Sequence, residues 1–172
     1  MTYNGLNGGW DNAMTNRIGQ GIDVHPLVDD RPLILGGVCI PFAKGLEGDT
    51  DGDVLTHAFM DAILGALAIG DLGTYFHSQD PDVRGASSLI LMARVVDMMQ
   101  RKGYQIISAD MTVVAQKPKL APFIPQMRHA LSVASGCPVD ALSVKATTTD
   151  HLGALGREEG VLALATVLLS SV

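Results

Sequence analysis

Apolar residues Leu55, Ala58, Phe59, Ala62, Ala66 and Ile69 recur at spacings of three and four, which places them on one face of a helix. The spacing predicts a helix over Asp53–Ile69, capped by Asp51 or Asp53 and stopped at Gly70. Two more helices are predicted over Ala86–Lys102, ending at Gly103, and over Phe123–Ser135, closed by Gly136. Arg17–Val24, interrupted by Gly19 and Gly21, reads as a strand, as do Tyr104–Val114 and Leu142–Thr147. Leu33–Leu35 and Val38–Ile40 flank Gly36-Gly37 and read as a hairpin. Val161–Leu169 is rich in Ala and Leu, but Thr166, Val167 and the preceding Gly160 decide for a strand. Asp71–Gly85 is read as a loop. Helices alternating with strands predict an α/β or α+β domain, a mixed β-sheet with helices on one face.

The 172 residues suit one domain over 17–172, and 47% hydrophobic with 17% charged residues describes a chain that buries a core. So little charge is compatible with a subunit that buries surface against its own copies. Met1–Asn16 has no apolar run of a secretory signal and reads as a disordered extension, with Met14 a candidate internal start. The net charge of −6 without a basic run argues against a nucleic-acid partner. Val161–Val172 is too short to cross a bilayer. Cys39 and Cys137 make neither a disulfide framework nor a zinc site, so a cytoplasmic, reducing setting is expected. A plastid destination would require a transit peptide on a longer precursor.

Charge and composition leave the chemistry to local clusters. Asp23 and His25 stand two apart at a strand end and point to one face. His57 stands in the first turns of the predicted helix, so the three can converge on one ion. A set of one carboxylate and two imidazoles suits Zn²⁺ with an open fourth position. Asp53, His57 and Asp61 form a stripe at helical spacing, either a solvated face or a carboxylate holding the second His57 nitrogen. Lys117-Pro118-Lys119-Leu120-Ala121-Pro122 is either an exposed loop or a stiff ledge with Lys119 near phosphate. Thr147-Thr148-Thr149-Asp150 offers hydroxyls and N–H groups beside a carboxylate. Arg157, between Gly156 and Gly160, is either a cation for an anion or a partner of Glu158 or Glu159.

Taken in order, these segments resemble the 2-C-methyl-D-erythritol 2,4-cyclodiphosphate synthases of the non-mevalonate isoprenoid pathway. The carrying motifs are Arg17-Ile18-Gly19-Gln20-Gly21-Ile22-Asp23-Val24-His25, Asp51-Gly52-Asp53 with His57, Gly70-Asp71-Leu72-Gly73, Ala115-Gln116 with Pro118-Lys119, Ile124-Pro125-Gln126-Met127-Arg128 and Lys145-Ala146-Thr147-Thr148-Thr149. The resemblance implies a homotrimer with active sites between subunits. It implies conversion of 4-diphosphocytidyl-2-C-methyl-D-erythritol 2-phosphate to the cyclodiphosphate with release of CMP. It implies Zn²⁺ on Asp23, His25 and His57, and Mg²⁺ or Mn²⁺ on Asp150. Ala115, Lys119 and Leu120 would border the cytidine, Thr147 and Thr148 the diphosphate, and Arg157 a phosphate or the central cavity. Asp49, Thr50, Asp71, Gly73 and Ser78 are expected near the remainder of the substrate.

Five positions depart from the family's usual residues. Asp49 stands for His, His77-Ser78 for Pro-Asp, Asp150 for the commoner Glu, and Ala154 for a frequent aromatic. Two other readings are kept beside the synthase. One is a metal-dependent phosphohydrolase in which water replaces the internal phosphate; the other is a non-catalytic trimeric module stabilised by zinc.

Overall fold

The computed structural model describes residues 15–172. The chain runs β1 (Asn16–Asp29), β2 (Leu33–Leu35), β3 (Val38–Ile40), β4 (Lys44–Leu46), α1 (Val54–Ala66), α2 (Leu72–Tyr75), α3 (Ser88–Arg101), β5 (Tyr104–Val114), α4 (Ile124–Ser135), β6 (Leu142–Thr147), α5 (Gly153–Gly156) and β7 (Gly160–Ser171). Five strands form one sheet in the order β4-β1-β7-β5-β6, with β5 and β6 parallel and the other pairs antiparallel. β2 and β3 form a separate hairpin, and positive φ at Gly36 and Gly37 supplies the tight turn between them.

The extension expected over 1–16 falls outside the described residues as far as position 14. Its last residue belongs to the fold: Asn16 opens β1 opposite Ser170, and the Thr15 N–H donates to Ser171 Oγ at 3.0 Å. β1 also runs five residues beyond the expected Val24. Pro26 does not break it, because the strand there changes partner from β7 to β4 and has little use for an N–H.

The two glycines of β1 set the depth at which α1 lies on the sheet. An added Cβ at Gly19 would fall 2.0 Å from the Ala62 carbonyl oxygen, and one at Gly21 would fall 2.0 Å from that of Ala58. Only hydrogen fits there, so the backbone of α1 rests directly on β1. The alternate residues Ile18, Ile22 and Val24 face away from the helices and are 73%, 55% and 57% exposed.

Asp53 fixes where α1 begins. Its carboxylate, fully buried, accepts the Thr56 N–H at 3.1 Å and the Thr56 hydroxyl at 2.7 Å. It also accepts the N–H groups of Gly36 and Gly37 at 2.8 and 2.7 Å, which ties the β2–β3 turn to the helix start. The core between sheet and helices is filled by Leu55, Phe59, Ile63 and Met92 with Met111, Val113 and Val167. Among the described residues, no helix is long and apolar enough to cross a membrane.

Candidate active site

Alternation along β1 puts Gly19, Gly21, Asp23 and His25 on the face toward α1. The close seat of α1 then brings His57, in its first turn, beside the strand end. Asp23 Oδ2 lies 2.8 Å from His25 Nε2 and 3.0 Å from His57 Nδ1, and the two imidazole centres are 5.2 Å apart. One ligand atom from each of the three residues lies within 4.8 Å of the others.

Burial alone would raise the Asp23 carboxyl, but hydrogen bonds and charge from His25 and His57 hold it well below the usual carboxylate range. Burial alone would lower His25, and the Asp23 carboxylate outweighs it, so the imidazole is pushed above its ordinary value. The Glu47 carbonyl can only accept, so His25 Nδ1 carries a proton and Nε2 is the nitrogen turned to Asp23. A carboxylate oxygen and two imidazole nitrogens thus converge, an arrangement in which a divalent cation can take the place of the shared protons. Asp, His and His fit such an ion, with room for an outside oxygen.

The second nitrogen of His57 is not held by Asp53 or Asp61, as the helical stripe suggested. Asp53 is engaged at the start of α1, and Asp61 accepts the Leu72 N–H at 2.8 Å, which sets the start of α2. His57 Nε2 instead meets Ser88 Oγ at 2.9 Å and Thr50 Oγ1 at 3.0 Å. Thr50, expected at the substrate, is 7% exposed and its hydroxyl serves His57 and the Gly52 N–H. Arg31 braces the same loop by donating to the carbonyls of Gly48 and Thr50 at 2.9 and 2.8 Å. Neither Ser88 nor Arg31 was singled out by the sequence. Ser87-Ser88 before an apolar run signals a helix start, but nothing local signals contact with a histidine 31 positions earlier.

A cavity of about 670 Å³ opens over the three residues. Asp49, Thr50, Gly73 and Ser78 line it as the sequence led one to expect, together with His77 and Asp61. Burial, then the negative charges of Asp71 and Asp23, push the Asp61 carboxyl up. Asp71 lies just outside as the cap of α2, accepting the N–H and hydroxyl of Thr74 at 2.9 and 2.8 Å.

The remaining expected residues gather elsewhere. Thr147 ends β6 opposite Val114 of β5, Val114 pairs with Leu162 of β7, and the adjacent Val161 pairs with His25. Three strand spacings of about 4.8 Å put Thr147 roughly 14 Å from the β1 site along the sheet. Thr148 donates its hydroxyl to Asp150 Oδ1 at 3.2 Å, and Asp150 is exposed with φ of 50°. Asp150 is therefore not part of the cluster around Asp23. Ala115 and Leu120 are buried, whereas Lys119 is exposed. Of the two alternatives for Arg157, the ion pair is formed: its Nε lies 2.7 Å from Glu159 Oε1, while Glu158 pairs with Lys117 at 2.9 Å.

The model of the YgbB family matches residues 16–170. A 2-C-methyl-D-erythritol 2,4-cyclodiphosphate synthase of Geobacter metallireducens is 53% identical over 153 residues, covering 89% of this chain and 98% of the relative. The synthase of the same description from Syntrophobacter fumaroxidans is 50% identical over 155 residues, covering 90% and 98%. The solved structure of IspF from Plasmodium falciparum in complex with CDP superposes with a TM-score of 0.80 at 31% identity, covering 91% of this chain and 96% of that one. With nearly its whole folded length matched in sequence and in shape, the chain belongs to the YgbB family.

Proposed function

We infer that this chain is a 2-C-methyl-D-erythritol 2,4-cyclodiphosphate synthase. The observation that carries the reading is the convergence of Asp23, His25 and His57 beside an open cavity in a chain about half identical to synthases along almost its full length. The substrate is 4-diphosphocytidyl-2-C-methyl-D-erythritol 2-phosphate. An oxygen of its 2-phosphate bonds to the β-phosphorus, and the bond from that phosphorus to the bridging oxygen breaks. CMP leaves with the bridging oxygen and its electron pair. No protein nucleophile is required; the work is positioning and charge neutralisation.

Asp23, His25 and His57 would hold Zn²⁺, and Asp150, which accepts the Thr148 hydroxyl, a second ion, Mg²⁺ or Mn²⁺. Bound there, such ions supply Lewis acidity to phosphate oxygens. Asp61, Gly73 and Ser78 line the space for the methylerythritol, and Asp49 stands beside them in the cavity wall. Thr147 and Thr148 would take the diphosphate, with Ala115, Lys119 and Leu120 forming the base subsite. Since these groups lie across the sheet from the ion site, the reading joins one subunit's Asp23 cluster to a neighbour's Thr147–Asp150. The uncovered apolar row Ile18, Ile22 and Val24 supports a homotrimer closed on that face.

³¹P NMR of the protein with this substrate, Zn²⁺ and Mg²⁺ tests the reading. A cyclic diphosphate with CMP is expected from the wild type and none from His57→Ala. Linear phosphates in place of the cyclic product would mean a phosphohydrolase.

A further inference from the structure

We propose that Arg31 is a positioning residue for the ion site: it clamps the loop that holds the His25 ring in line with Asp23. The proposal rests on the reading that Asp23, His25 and His57 hold a divalent cation. Arg31 stands just after β1 and is half-buried. Its Nη1 donates to the Gly48 carbonyl at 2.9 Å and its Nη2 to the Thr50 carbonyl at 2.8 Å. Both bonds go to backbone, so the guanidinium acts as a fork spanning Asp49. The backbone of Arg31 is itself pinned. A Cβ added to Gly45 of β4 would fall 2.4 Å from the Arg31 carbonyl oxygen and 2.2 Å from that of Pro32.

The carbonyls of the loop account for its shape. Glu47 accepts from His25 Nδ1, Gly48 from Arg31, Asp49 from the Gly85 N–H at 2.7 Å, and Thr50 from Arg31 again. Every carbonyl from 47 to 50 thus has a donor, and one side chain supplies two of them. The Glu47 N–H donates to the Pro26 carbonyl at 3.0 Å, which ties the start of the loop to β1. His25 meets this loop at two places. Its Nδ1 bonds the Glu47 carbonyl, and a Cβ added to Gly48 would fall 3.0 Å from the ring's Cε1 and Nδ1. The carbonyl that Arg31 clamps therefore belongs to the residue that packs against the imidazole.

Without the guanidinium, the Gly48 and Thr50 carbonyls lose their donors and must turn toward water. Gly48 has no side chain to resist that rotation. The turn moves its Cα away from the ring and shifts the Glu47 carbonyl that precedes it. Asp23 and His25 keep their places in the ladder with β7, opposite Ala163 and Val161, so the loss falls on the direction of the ring. His25 Nε2 then leaves its 2.8 Å approach to Asp23, and one ligand of three is misaimed. Arg128 makes the same kind of fork elsewhere. It donates from α4 to the carbonyls of Leu142 and Val139 at 2.7 and 2.6 Å, at the opposite end of β6 from Thr147.

That second fork is the control for a general loosening of the fold. Arg31→Met keeps an apolar stem and removes both donors. Its Zn²⁺ affinity by chelator competition should fall about 10-fold, the scale of losing support behind a ligand. The visible bands of Co²⁺ bound in place of Zn²⁺ should shift, since they report the direction of the ligands. Arg31→Lys returns a donor without the fork, so its affinity should lie between those of wild type and Arg31→Met. Arg128→Met should lower Tm and leave Zn²⁺ affinity and Co²⁺ bands as in the wild type. Wild-type affinity and bands in Arg31→Met overturn the proposal alone, as does an equal loss in Arg128→Met. Where Arg31→Met does not fold, Arg31→Lys is read in its place against the same two outcomes. A wild type that takes up no Zn²⁺ overturns the metal reading and this proposal with it.

Discussion

A single oxygen, Asp23 Oδ2, faces both imidazoles, at 2.8 Å from His25 and 3.0 Å from His57. In the metal-free protein its partner is a proton. The folded value of His25 lies above the unfolded one of about 6.5, so this stabilisation is complete below that pH and is lost as pH rises through the raised value. Asp23 is depressed, so its share is present above about pH 3.9 and lost as pH falls through the low value. A divalent ion behaves oppositely, since protons compete for its ligands. The rise in Tm on adding Zn²⁺ should therefore be larger at pH 8.5 than at pH 5.5, and equal increments would mean that His25 is not a ligand. The three residues were legible because period two in a strand and the first turn of a helix leave few directions for their side chains. Ser88 and the true duties of Thr50, Asp53 and Asp61 were not, because a ring nitrogen's partner depends on tertiary approach rather than on spacing.

At the scale of elements, β1 and α1 work as one unit. Gly21→Ala would force a methyl to within 2.0 Å of the Ala58 carbonyl oxygen, and backbone cannot yield as a flexible side chain does. The expected cost is at least about 1–3 kcal/mol in urea unfolding. Because the lifted helix carries His57, Zn²⁺ affinity should fall with stability; a variant with native affinity would show that α1 does not set the site. The long elements α1, α3, α4, β5 and β7 were readable from periodicity and glycine stops, to within a few residues at each end. β4, α2 and α5, of three, four and four residues, were not. Segments so short complete no more than one turn or one alternation. Their positions come instead from distant contacts, such as the Asp61 carboxylate at the head of α2.

For the whole molecule, one face of the sheet is covered by helices and the other carries Ile18, Ile22 and Val24 at the surface. If that face joins copies, Ile22→Asp should yield monomers by light scattering and abolish cyclisation. Zn²⁺ binding to the Asp23 cluster, which lies within one chain, should survive. An unchanged assembly would place the subunit contact elsewhere. The mixed-sheet class was legible from the alternation of elements, but the strand order was not, since sequence pattern does not say which strands lie side by side. That order has a consequence in time. β7 lies between β1 and β5 yet follows every other strand in the chain. As the polypeptide leaves the ribosome, both neighbours must wait with bare hydrogen-bonding edges for their shared partner. The nascent chain has no closed sheet to protect until its final strand emerges, so its most vulnerable moment comes at the end of synthesis.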